Sequence, residues 1–418
     1  MKWFLDARFG LFVHYGLFSM LERGEWVMNR ERISAAELEA LAERFTPHAF
    51  DADRICSLAV EAGAQYVNLT TMHHEGFRLY ETQLSDFNAM AVCGRDLVAE
   101  FVDAAKRHNL RVSLYHSLNN WHDRPDAVDA LENKADYDTF IAATHKRFIE
   151  LAERFPDIDC IWYDGWWPFS AAGWQATALQ EKLAAVNPNF LFNPRTGLPG
   201  DFGTPEGHMS PPVPWRPWEA CITGNDNWGY HAGDKNWKSP LDIIQMLARA
   251  AQGQGNLLFN IGPRKDGSIP PESTFQLREV GQWLNRHREA IWVKDRFTHG
   301  LMDREGHEGD WNHNGLFTRN GTDLYQIVSC WCGSELTIGG VSAEAKEVTL
   351  LTTGQTYNFS QRDDVLTIHG LPEACPDPYA AVMRVRFAEV PQMNLTGGMR
   401  VPRVPHPPYD PNPSDIAH

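Results

Sequence analysis

From residue 8 to about residue 292, short apolar runs alternate with amphipathic helical stretches, and this repetition limits the possible folds more than any other feature. The strand candidates are 9–15, 66–70, 112–117, 160–164, 190–193, 219–223 and 256–261. Helical patterns fall between them at 51–62, 96–108, 136–155, 174–185, 240–252 and 274–287. Asp51, Asp96 and Asp136 open three of these, as N-caps or in acidic first turns. Strands joined through helices form a parallel sheet, either doubly wound or closed. Seven strands are visible and an eighth is not clear. We favour a somewhat irregular (β/α)8-like TIM barrel over residues 1–295.

The pattern changes near residue 295. Short alternating runs follow at 324–329, 335–338, 347–351, 365–368 and 381–387. Turn residues separate them: Asn320-Gly321, Gly339-Gly340, Gly354 and Gly370. Alternation without helices predicts an antiparallel β-sandwich over 296–389. Residues 390–418 carry seven prolines from Pro391 to Pro413 and read as an extended tail.

Several function classes are excluded early. The chain holds 38 Lys+Arg against 54 Asp+Glu, a net charge of −16. Nucleic acid is therefore not an expected partner, because phosphate backbones are bound by clustered cations. No stretch approaches the roughly 18–20 apolar residues of a membrane span, so no membrane partner is expected. The N-terminus has no extended apolar run and carries Asp6 and Arg8. A cytoplasmic location is the expectation, or a periplasmic or secreted one if the chain is a trimmed precursor. Seven scattered cysteines without a Cys-x-x-Cys suggest reduced thiols; Cys330 and Cys332, flanking Trp331, read as a core pair rather than a metal site.

Polar groups cluster late in the strand candidates or just after them. His14 closes the first run, with Glu25-Trp26 in the loop beyond. His73-His74-Glu75 follow the second, Tyr115 lies near the end of the third, Asp164 closes the fourth and Arg195 follows the fifth. Barrel enzymes assemble their sites at the C-terminal ends of the strands, and surface solubility does not explain such a series of loops. His-x-His and His-Glu-x-x-His are absent, so no metal or cofactor is expected. Adjacent His73 and His74 point to opposite sides of an extended backbone unless a loop turns both inward. Neither a phosphate-cradling Gly-rich loop nor a Gly-x-Ser-x-Gly is present.

Paired carboxylates remain. Asp164 ends an apolar strand whose Trp162 shares its face. A carboxylate there is costly unless hydrogen-bonded; it suits a glycosidase nucleophile, though it could also cap the next segment. The partner acid could be Glu206 or Glu219. Retaining glycosidases hold two such groups about 5–5.5 Å apart.

Seven ordered blocks bring a family into view. They include Arg8-Phe9-Gly10-Leu11-Phe12-Val13-His14-Tyr15-Gly16, Gly24-Glu25-Trp26 and Thr70-Thr71-Met72-His73-His74-Glu75-Gly76-Phe77. Others are Ile161-Trp162-Tyr163-Asp164-Gly165, Trp228-Gly229-Tyr230 and Gly255-Asn256-Leu257-Leu258-Phe259-Asn260. From about residue 8 to residue 387 the chain resembles glycoside hydrolase family 29, the retaining α-L-fucosidases, in which a catalytic barrel precedes a β-sandwich. The resemblance implies Asp164 as nucleophile. It places His14, Glu25, Trp26, His73, His74, Tyr115 and Arg195 around the sugar, whose apolar face and C5 methyl Trp26 or Trp162 would cover. It favours Glu206 as acid/base, in Gly200-Asp201-Phe202-Gly203-Thr204-Pro205-Glu206, and leaves Glu219 as the competing candidate. The partner implied is a fucosylated oligosaccharide or glycoconjugate, and a homo-oligomer is possible. Gly24-Glu25-Trp26-Val27-Met28 resembles the branch acting on α1,3/1,4-linked fucose. Tyr15, His116, Glu75 and Pro194 depart from the usual Trp, Tyr, Asp and Asp, all at positions expected near the sugar. An α-L-galactoside, or sugar binding without turnover, are the competing functions.

Overall fold

The computed structural model describes residues 1–124, 126–297 and 314–392. They divide into two compact units: Met1–His208, Pro217–Ile243 and Gly255–Asn285 form one, and Met209–Arg216, Ile244–Gln254 and the described residues from Arg286 onward form the other. The proline-rich segment expected from 390 lies, from 393 on, outside the described residues. No described helix is long and apolar enough to cross a membrane.

The first unit contains β1 (Phe9–Val13), β2 (Tyr66–Met72), β3 (Arg111–Ser117), β4 (Cys160–Asp164), β5 (Leu191–Phe192), β6 (Glu219–Thr223) and β7 (Asn256–Ile261). They pair in parallel in the order β5-β4-β3-β2-β1-β7-β6. Nearly every residue of β1, β2, β4 and β7 is buried, as strands covered on both faces require. The helices begin where expected. Asp51 accepts from Arg54 N at 2.9 Å and Asp96 from Ala99 N at 2.8 Å, each satisfying an otherwise unpaired first-turn N–H. The long helix Lys134–Arg154 is capped instead by Asn133, with Asp136 in its first turn.

The eight-stranded barrel expected from the alternation is not what forms. The sheet is curled, a half-barrel: side chains from all seven strands, including Phe12, Tyr66, Tyr115, Trp162, Leu191, Cys221 and Leu258, meet in one buried cluster. Yet its ladder ends at β5 and β6, and no eighth strand joins them among the described residues. An irregular stretch lies between instead. Asp201 N donates to Phe192 O at 2.7 Å, while Gly203 and Glu206 make isolated parallel bridges to Trp218 and Cys221. The cause is proline. Pro194, Pro199, Pro205, Pro211, Pro212, Pro214 and Pro217 each remove an N–H that a regular ladder needs.

The second unit carries two antiparallel sheets. One orders β8 (Gly315–Asn320), β9 (Asp323–Val328), β11 (Ala345–Leu350), β12 (Gln355–Thr356) and β15 (Ala381–Phe387) as β12-β11-β15-β9-β8. The other orders β10 (Glu335–Gly339), β13 (Asn358–Arg362) and β14 (Val365–His369) as β10-β14-β13. Leu336, Ile338, Leu366 and Ile368 of the smaller sheet share a core with Phe317, Leu324, Val348, Met383 and Val385 of the larger. Cys330 and Cys332 are exposed free thiols, not the core pair expected.

Candidate active site

The polar rim of the curled sheet closes around a cavity of about 150 Å³. His14, Trp26, His73, His74, Tyr115, Trp162, Asp164, Arg195 and Glu206 all line it, so nine of the eleven residues singled out in the sequence meet in one place. Phe12, Trp166, Trp167, Cys221 and Trp228 complete the wall.

Asp164, the last residue of β4, is the electrostatic centre. The Tyr115 hydroxyl donates to its Oδ2 at 2.9 Å and Arg195 Nη1 donates to its Oδ1 at 2.8 Å. His74 Nε2 stands 3.6 Å from Oδ2. Burial pushes the carboxyl up, but Arg195, His74 and Tyr115 together outweigh it and hold Asp164 below its ordinary value of 3.8. The group is an anion at neutral pH. Arg195 also extends Nη2 to Glu206 Oε2 at 2.5 Å, so one guanidinium holds both carboxylates. That guanidinium lies over the Trp162 ring, 4.6 Å from its centroid. Glu206 differs from Asp164 in exposure: its side chain is 45% accessible, against 12%.

The histidines are neutral donors and acceptors. Burial lowers His14 to about 3 and His74 to about 4, and holds His73 well below its ordinary range. His14 Nδ1 contacts Asn260 Oδ1 at 2.6 Å and His74 Nδ1 contacts Ser117 Oγ at 2.6 Å, which leaves each Nε2 for the cavity. His73 and His74 do not diverge. The register of β2 against β3 shifts between Thr70 and Met72, and the loop beyond carries both rings inward with centroids 4.1 Å apart. His73, His74 and Asp164 offer donor atoms within 4.8 Å of one another, a set that could hold a cation. The same atoms suit sugar hydroxyls.

Two expected residues lie elsewhere. Glu219 is the first residue of β6, at the opposite end of its strand from the rim, and is 2% exposed. Tyr66 Oη donates to its Oε2 at 2.5 Å and Trp162 Nε1 to its Oε1 at 3.0 Å. Burial raises it to about 7 despite those bonds. Tyr66 reaches it by crossing Gly10, where a Cβ would fall 2.3 Å from the ring. Glu219 thus braces the Trp162 floor from below. Glu25 also stands behind the wall, accepting from Gly229 N at 2.8 Å. The four departures named above are likewise set back from the cavity. Tyr15, His116, Glu75 and Pro194 are not among the cavity-lining residues; Tyr15 donates to Lys265 O at 3.2 Å and His116 packs with Thr71.

Of the residues that sequence reasoning left without a role, Trp228 was the most accessible to it, since its motif was already in view. Its ring lies 5.1 Å from that of His14. Phe12 could have been found by strand alternation, two residues before His14. Trp166 and Trp167 directly follow Asp164-Gly165 and carried no periodic signal.

A single-ring cavity with indole walls and two acids bound to one arginine is the equipment of a glycoside hydrolase. The α-L-fucosidase family model matches residues 1–289, and the chain belongs to that family. Tissue α-L-fucosidase of Mus musculus is 32% identical over 326 residues, 70% of this chain and 71% of that protein. The Homo sapiens tissue enzyme is 30% identical over 367 residues, 79% and 75% of the two chains. Among solved structures, α-L-fucosidase isoenzyme 1 from Paenibacillus thiaminolyticus superposes with a TM-score of 0.84 at 29% identity, covering 93% of this chain and 98% of that one. A Bacteroides thetaiotaomicron α-L-fucosidase, at 26% identity and a TM-score of 0.78 over 92% and 95% of the chains, was captured as a covalent intermediate with 2-fluoro-fucosyl fluoride.

Proposed function

We propose that the enzyme releases terminal α-L-fucose with retention of configuration, using Asp164 as nucleophile and Glu206 as acid/base. The observation that carries this assignment is the shared Arg195, which ties an ionised buried carboxylate to a second carboxylate at the mouth of one cavity. In the first step Asp164 attacks C1 while Glu206 protonates the departing oxygen, giving a fucosyl-enzyme and the free alcohol. In the second, Glu206 takes a proton from water, whose oxygen attacks C1 and frees Asp164. The covalent intermediate of the Bacteroides relative supports this route.

Each wall has a task in this scheme. Neutral His14, His73 and His74 exchange hydrogen bonds with ring hydroxyls, which a charged imidazolium could only donate to. Trp162 and Trp228 take the apolar face and the C5 methyl. Tyr115 and Arg195 keep Asp164 ionised and aimed. The resemblance of residues 24–28 to one branch of the family extends the proposal to α1,3- and α1,4-linked fucose. The test is proton NMR of early turnover of an aryl α-L-fucoside: the α anomer of fucose should appear first, whereas initial β-fucose would refute double displacement.

A further inference from the structure

Trp166 and Trp167 are 40% and 36% exposed, and they are the exposed tryptophans of the first unit's described residues. Leaving two adjacent indoles in water forgoes the burial that drives folding, and such patches mark places where something binds. They are not loosely held. Trp174 Nε1 donates to Trp166 O at 2.6 Å, and Asn119 Nδ2 donates to Gly165 O and Trp167 O at 2.8 and 2.7 Å. The Trp167 ring stacks on Trp26, with centroids 5.5 Å apart and planes 19° apart, and meets Trp166 edge-on at 5.5 Å. Both rings are thus fixed before any ligand arrives, which lowers the entropic cost of stacking on them.

Arg195 fixes the side of the cavity on which Trp166 stands. Its guanidinium lies 5.6 Å from the Trp166 ring while its Nη2 holds Glu206. Trp166 and Glu206 both line the cavity and are both far more exposed than Asp164, so Trp166 stands at the open lip of the cavity with the acid that protonates the leaving group, and not in its buried floor. The geometry points to Trp166, backed by Trp167, as a stacking surface for the leaving sugar: an aglycone subsite for a pyranose ring that lays a C–H face on the indole. This inference rests on the fucosidase assignment of the cavity.

The test compares substrates with and without an aglycone ring. Wild type, Trp166→Ala and Trp166→Phe are assayed on α-L-fucosyl fluoride, and on the 1→3, 1→4 and 1→6 isomers of α-L-fucosyl-N-acetylglucosamine. For the isomer cleaved fastest, Trp166→Ala should lose about tenfold more in kcat/KM than it loses on the fluoride, and Trp166→Phe should regain most of that difference. Equal losses on both substrates would mean that Trp166 acts through Arg195 and would overturn the subsite. So would a wild type that cleaves the fluoride but none of the disaccharides. A wild type inert on the fluoride would instead sink the fucosidase assignment, and the subsite with it.

Discussion

Arg195 donates to Asp164 across 2.8 Å, with the two side chains only 9% and 12% accessible. In so dry a setting a lone carboxylate would take up a proton near neutral pH, so the arginine makes the nucleophile an anion as well as aiming it. Arg195→Met leaves that carboxylate buried without its counter-charge, at a cost of about 3–5 kcal/mol in stability. It also lets the Asp164 pKa rise. Because the nucleophile must be ionised, the acidic limb of the kcat/KM profile should move to higher pH. A pH–rate profile in which kcat/KM falls without movement of that limb would contradict this role.

Glu219 should behave as a brace and not as an acid. Glu219→Gln is expected to keep kcat/KM within about tenfold of wild type, whereas acid/base residues contribute about 10²–10⁴-fold. Its stability effect has a definite sign. The folded pKa is raised from 4.5 to about 7, so the protonated form's stabilisation is fully present below about 4.5 and is lost as pH rises through about 7. Glutamine cannot ionise. The melting temperature of Glu219→Gln relative to wild type should therefore climb between pH 4.5 and 7 and level off above. The histidines titrate in both proteins and cancel from the difference. A flat difference would show that Glu219 does not titrate in this range.

Glu206→Ala should lose about 10²–10⁴-fold in kcat on a fucoside with a poor leaving group. On a dinitrophenyl α-L-fucoside, whose leaving group departs without protonation, the Asp164 adduct should accumulate in Glu206→Ala, and added azide should restore turnover by attacking it, giving α-L-fucosyl azide. The same azide should do nothing for Glu219→Ala. Rescue of Glu219→Ala in place of Glu206→Ala, read by product NMR, would exchange their roles.

Ser117 ends β3 and contacts His74 Nδ1 at 2.6 Å. Without it the imidazole loses the partner that selects its tautomer and presents Nε2 to the cavity. Ser117→Ala should raise KM about fivefold, corresponding to about 1 kcal/mol for one buried hydrogen bond, and leave the pH profile in place. An unchanged KM would show that His74 is oriented by its neighbours alone.

Much of this was legible in the sequence, for reasons particular residues make plain. β6 and β7 match the expected 219–223 and 256–261, because the short apolar stretches 220–222 and 257–259 are bounded by polar residues and too short for a helix. Asp164 could be picked out because a carboxylate closing such a run is costly without a purpose. Glu219 was kept as the competing acid although its place in the fold could be read. It begins β6, and barrel sites form where strands end. Glu206 stood beside Glu219 as a candidate acid and was preferred by family likeness alone, since its segment is irregular and proline-broken and has no period to read. That segment also hides why the sheet stops at seven strands. The inward turn of His73 and His74 depends on a register shift in β2, a detail of pairing that no residue pattern displays. β13 was missed because Asn358, Ser360 and Arg362 are exposed and Phe359 and Gln361 only half-buried, so its apolar alternation is faint.

The central claim is that Asp164 carries the sugar. It is tested most directly by incubating the enzyme with 2-fluoro-fucosyl fluoride, digesting it, and sequencing the labelled peptide by mass spectrometry. One fluorofucosyl group is expected on Asp164, with none on the Asp164→Ala protein. A label on Glu206, Glu219 or any other residue, or inactivation without a covalent adduct, would contradict it.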